Sequence, residues 1–266
     1  MAKSFRAIET RNTSNRVSFI ISTFGRFILH LCLFDLFQTT LQILPLPGLG
    51  TTKGGSVYNK AFPSPLRYGV STIAVLSTGA AVYAGLEVGH NVITLIGVGL
   101  LQLDPADHPP IFSKPWLSTS LRDLWSRRWH SVFRNYFAIL GYAAGHRIMG
   151  EVGGVLGVFF LSGLLHDWTI WGMGKGTDFW RIVGFFYLQG IGMCVEATFS
   201  VVTGRKIRGW WGRAWTCLFM LTTAHLVVEA WLQRGLAGGI YFVKPEYRPV
   251  LKLYQYFVGR QCIVQY

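Results

Sequence analysis

The sequence predicts an all-α, polytopic membrane helix bundle of about five to seven transmembrane helices, with one amphipathic helix lying in the membrane interface. Three observations carry that prediction. Of the 266 residues, 51% are hydrophobic and only 14% are charged, against about 25% charged in a soluble domain. Glycine is heavy, at 31 residues, without a three-residue repeat, and small residues let membrane helices approach closely. The net charge of +13 sits in short basic clusters between apolar runs, the pattern of topology-setting loops. It forms no stripe with interleaved aromatics, so a nucleic-acid partner is not expected.

The elements follow in order. Lys3, Arg6, Arg11 and Arg16 precede an apolar stretch from about Val17 to Leu46 that Arg26, His30 and Asp35 interrupt. No small-residue cleavage site follows cleanly, so this is read as an uncleaved membrane segment. Pro45, Pro47, Gly48, Gly50, Gly54, Gly55, Pro63 and Pro65 mark a loop over residues 45–67. An uncharged run, Gly69 to Leu86, is followed after Glu87 by a second, to Leu103. Asp104 to Pro115, with Pro105, Pro109 and Pro110, is another loop. Val152–Leu165, Ile182–Val195 and Trp215–Val228 each need flanking Trp, Tyr and single ionisable residues to reach the roughly 20 residues of a full span. Gly141 with Gly145, and Gly153 with Gly157, have small-xxx-small spacing. Residues 1–266 are read as one membrane-embedded domain. Cys32, Cys194, Cys217 and Cys262 show no CxxC spacing and are expected to act as buried small hydrophobes, with neither a disulfide framework nor a metal site.

The segment Trp116 to Phe137 has a different pattern. Ser118 and Ser120 can start a helix, and Leu117, Leu121, Leu124, Trp125, Val132 and Tyr136 share one face of a 3.6-residue wheel. Arg122, Asp123, Arg127, His130 and Arg134 lie outside that arc, the profile of the interfacial helix. Arg128 falls inside the apolar arc, so it either snorkels or points inward at an anionic or carbonyl partner, and the inward placement is favoured.

Two histidines stand out. His166 ends the apolar run Val158–Leu161, where a neutral imidazole could accept a proton; the alternative is a structural ring bonded to a carbonyl. Ser162, one turn earlier, could orient it or bond back to its own helix. His130 is spaced to Arg127 and Arg134 as part of a cationic cluster, which suits a phosphate-bearing ligand or anionic lipid headgroups. Glu87 with His90 and His225 with Glu229 are read as polar packing, since a di-metal centre needs further carboxylates. HExxH, P-loop and GxSxG signatures do not occur.

The run Pro115-Trp-Leu-Ser-Thr-Ser-Leu-Arg-Asp-Leu-Trp-Ser-Arg-Arg-Trp-His130, followed by Ser162-Gly-Leu-Leu-His166, resembles the wax synthase branch of the membrane-bound O-acyltransferases. That resemblance implies transfer of an acyl group from a coenzyme A thioester to an alcohol, with no resident cofactor. It makes His166 the catalytic histidine and His130 a second polar position in the active-site tunnel. Arg127, Arg128, Trp129, Arg134 and Ser162 are then expected to bind substrate. By likeness to fungal members, an acetyl group from acetyl-CoA and a terpenoid or meroterpenoid acceptor are expected, at the endoplasmic reticulum. The alternatives are long-chain-alcohol esterification and an inactive homologue. Asp167 stands where the family has glutamate, Leu124 and Ser126 where it has Phe and Gly. The chain also begins where full-length relatives already have several helices, so missing N-terminal helices are expected.

Overall fold

A computed structural model describes residues 11–130, 132–239 and 242–258, without the side chain of Arg134. Lys3, Arg6 and Cys262 lie outside the described residues. Regular structure among the described residues is helical. Five segments are long and apolar enough to cross a membrane: Arg16–Ile43, Ser64–Leu100, Asn135–Gly172, Phe179–Thr203 and Gly209–Gln233. The described residues divide into two compact units, one within residues 111–230 and the other within residues 11–110 and 231–258.

In the second of these units, helices α1 (Arg16–Ile43) and α2 (Ser64–Leu95) pack against each other. The Asn15 side chain accepts the Ser18 N–H at 2.9 Å and so caps α1. Pro65 sits in the first turn of α2, where a missing N–H costs nothing. The two uncharged runs either side of Glu87 form one continuous helix, because a single buried Glu87 does not break helical propensity. Five residues of π-helix, Ile96–Leu100, extend it. Arg16 gathers the carbonyls that this end leaves open, those of Val98 at 2.8 Å and Leu103 at 3.0 Å. Arg248, 2% exposed, pins the chain ahead of the C-terminal helix to α1. It meets Asp35 at 2.7 Å, Gln42 at 3.0 Å and Thr39 at 2.9 Å, so this buried charge is paired and satisfied.

The other unit carries both histidine motifs. The stretch 116–137 is not one interfacial helix. Pro115–Leu117 makes a single 3-10 turn, and α3 runs only over residues 121–128, three α-helical residues followed by π-helical Leu124–Arg128. Extended backbone at Trp129 (φ −80°, ψ 153°) ends it. Of the apolar arc, Leu121 and Leu124 are buried in protein, while Val132 and Tyr136 are exposed; periodicity alone cannot distinguish packing on a neighbouring helix from an interface. A short helix, α4 (Arg134–Phe137), runs on through a π-helical turn, Ala138–Tyr142.

Helix α5 (Ala143–Gly172) is two limbs. Met149 and Gly150 leave helical geometry, Gly150 at φ +57°, ψ −143°, which favours glycine. The limb before this turn, residues 135–148, is about 21 Å long, too short to span a hydrocarbon core of about 30 Å; the limb after it, residues 151–172, is about 33 Å. The limbs meet glycine to glycine: a Cβ on Gly141 would lie 2.7 Å from the Gly157 carbonyl oxygen. Gly145 and Gly153 are opposed in the same way. Helices α6 (Phe179–Thr203) and α7 (Gly209–Gln233) follow, and α6 ends on Gly204 at φ +66°. Of the described cysteines, Cys32 and Cys217 are exposed and Cys194 is half-buried, so the expected burial fails for two. Both sit on apolar helices whose outer faces are lipid-compatible.

Candidate active site

His166 sits on the spanning limb of α5 and points back along its own helix. Its Nδ1 lies 2.7 Å from the Ser162 carbonyl oxygen, which can only accept. The proton is therefore on Nδ1, and the basic lone pair is on Nε2. It is the backbone of Ser162, not its hydroxyl, that orients the ring. On the other side the imidazole stacks on Phe186 of α6, with centroids 4.2 Å apart and planes inclined by 29°.

Asp167 does not touch up His166. Consecutive helical residues diverge by about 100°, and the Asp167 carboxylate accepts the Asp178 N–H at 2.7 Å. It is 4% exposed and ties the end of α5 to the start of α6.

His130 follows α3 directly. Its ring lies 5.9 Å from Trp129 and 6.1 Å from Phe112. Trp129 packs edge-on to Trp125 at 6.0 Å, and Trp125 reaches Phe186 at 6.5 Å. The two histidines are thus joined by an unbroken aromatic wall, Trp129, Trp125 and Phe186, with Phe159 and Phe185 closing on Trp125. The wall leaves the two imidazoles as polar points at the ends of an apolar row of rings.

Arg128 turns inward. Its Nε meets the Asp123 carboxylate at 2.7 Å, and Nη1 donates to the Ser113 and Lys114 carbonyls at 3.2 and 3.3 Å. Its guanidinium is bound up in the fold, which speaks against its expected role on substrate. Arg127 is exposed beside it. The side chain of Arg134 lies outside the described residues. An apolar groove of about 440 Å³ runs between α5 and α6, lined by Gly153, Gly157 and Phe160 of the spanning limb. On the helical wheel these residues lie away from Ser162 and His166, so this groove is not a tunnel between the histidines.

Sequence reasoning missed Phe186, Gln189 and Glu196. The last two carried a readable signal, being polar residues inside an otherwise apolar α6. Phe186 carried none, because one aromatic among many has no distinctive spacing.

Residues 108–188 match the model of the Membrane bound O-acyl transferase family. The matched segment contains both histidines and the wall between them. Similar proteins carry acyltransferase names. The long-chain-alcohol O-fatty-acyltransferase of Simmondsia chinensis is 28% identical over 134 residues, covering 47% of this chain and 37% of that protein. The probable long-chain-alcohol O-fatty-acyltransferase 1 of Arabidopsis thaliana is 34% identical over 117 residues, 41% of this chain and 32% of its own length. The acyl-CoA–sterol O-acyltransferase 1 of the same plant is 25% identical over 159 residues, 57% of this chain and 44% of its own. The chain spans less than half the length of each of these relatives.

Proposed function

We propose that this chain is a membrane-bound O-acyltransferase that moves a fatty acyl group from a coenzyme A thioester to the hydroxyl of a long-chain alcohol. The observation that carries the reading is the histidine pair joined by one aromatic wall, inside the segment that matches the family. The relatives' names favour a fatty acyl donor and a long-chain alcohol over the acetyl group and terpenoid acceptor expected from the sequence.

The chemistry follows from the tautomer. With its proton on Nδ1, His166 offers Nε2 as general base to the alcohol O–H. The alcohol oxygen attacks the thioester carbonyl, a C–O bond forms, and negative charge develops on the carbonyl oxygen. His130 donates to that oxygen in this scheme, since Arg128 is already bonded to Asp123. Collapse of the intermediate breaks the C–S bond. The proton held on His166 passes to the leaving thiolate, giving coenzyme A and the ester. Arg127, exposed beside the wall, meets the donor's phosphates, for which a guanidinium fork is suited. Substrates of this greasiness place the reaction in a membrane, and we assign the endoplasmic reticulum.

Microsomes holding the chain, given labelled palmitoyl-CoA and hexadecanol or labelled acetyl-CoA and a terpenoid alcohol, decide the donor and acceptor. Label in a wax ester supports the proposal. Label only in an acetate ester would overturn the fatty acyl assignment.

A further inference from the structure

Helix α3 is about two turns long, too short to hold itself in water or lipid. Its first amides are nevertheless all satisfied. Ser120 Oγ accepts the Asp123 N–H at 2.9 Å, while the N–H groups of Leu121 and Arg122 donate to the Glu196 carboxylate at 2.7 and 3.0 Å. Glu196 also accepts the Trp215 indole N–H at 2.9 Å. A carboxylate only 7% exposed is costly to bury unless it is bonded in this way.

Gln189 stands seven residues earlier on α6, two turns away on the same face. It is 0% exposed. Its Oε1 accepts the Trp125 indole N–H at 3.3 Å, and its Nε2 donates to Thr223 Oγ1 at 2.9 Å. Trp125 is the middle ring of the wall between the histidines. One α6 side chain therefore fixes the start of α3, and the other fixes the orientation of its central tryptophan.

We propose that Glu196 and Gln189 are positioning residues for acyl transfer, holding α3 so that Trp129 and His130 keep register with His166. This rests on the acyltransferase reading above. The two residues touch no reacting atom. They act because a misplacement of about 1 Å in such a site can lower turnover about 100-fold.

The test compares Glu196→Ala, Glu196→Gln and Gln189→Leu with the unsubstituted chain in microsomes. Turnover is normalised to folded protein by size-exclusion chromatography, and tryptic cleavage after Arg122 and Arg127 is followed in parallel. For Glu196→Ala we expect kcat per folded molecule to fall about 100-fold, with KM for the alcohol nearly unchanged and faster cleavage. Glu196→Gln, whose amide oxygen still accepts an N–H, recovers to within about tenfold, and Gln189→Leu, which leaves the start of α3 docked, loses about tenfold through a smaller misplacement. A merely structural role would lower the yield of folded protein and leave kcat per folded molecule intact, which would overturn the proposal. If Glu196→Ala does not fold, Glu196→Gln and Gln189→Leu decide on the same readouts. No transfer by the unsubstituted chain would overturn the acyltransferase reading itself, and the tryptic arm separates that outcome from a wrong docking of α3.

Discussion

Gly145 and Gly153 meet backbone to backbone, so a Cβ on either would collide with the other's carbonyl oxygen. Together with Gly141 and Gly157 they close the hairpin that carries His166. A Gly153→Val substitution should force the limbs apart at a cost of about 1–3 kcal/mol. Thermal unfolding of the detergent-solubilised protein checks this. An unchanged midpoint would mean that the limbs are not in contact.

Asp167 is expected to act through the fold rather than through His166. Asp167→Leu removes the acceptor of the half-buried Asp178 N–H and should cost about 0.5–1.5 kcal/mol of stability. Turnover per folded molecule should stay within a few-fold, since Ser162 holds the imidazole. A large fall in kcat at normal stability would show instead that Asp167 tunes the histidine.

The neighbours Arg127 and Arg128 should separate. Arg127→Gln should raise KM for the acyl-CoA several-fold at low salt, with the difference shrinking as ionic strength rises through screening. Arg128→Met leaves Asp123, with 16% of its side chain exposed, short of its counter-charge. About 1–3 kcal/mol of stability should be lost, less than for a fully buried pair because water screens it. Steady-state kinetics over a salt series, with unfolding midpoints, tests both. Equal effects of the two substitutions on KM would place Arg128 on the substrate.

Much of this was legible in the sequence because it rests on local chemistry. Each of the five long apolar helices contains a low-charge apolar run visible in the sequence, and the inward turn of Arg128 follows from its place on the apolar arc. The fused α2 was less legible, since Glu87 reads as a break until its burial is known. The α5 hairpin was half-visible: the two glycine pairs were spaced for close approach, but only the left-handed Gly150 shows that they face each other. α3 misled because a face buried against α6 and a face buried in lipid have one periodicity. The partners of the histidines, Phe186 and the Ser162 carbonyl, come from packing and from the backbone, neither of which sequence spacing encodes.

Acyl transfer as proposed depends on the Nε2 of His166 taking the proton of the alcohol. The most direct measurement is wax-ester formation by His166→Ala in microsomes, with membrane insertion and folded yield checked alongside. A fall of about 10²- to 10⁴-fold is expected, the contribution of a general base, with the protein still folded in the membrane. Turnover close to that of the unsubstituted chain would contradict it.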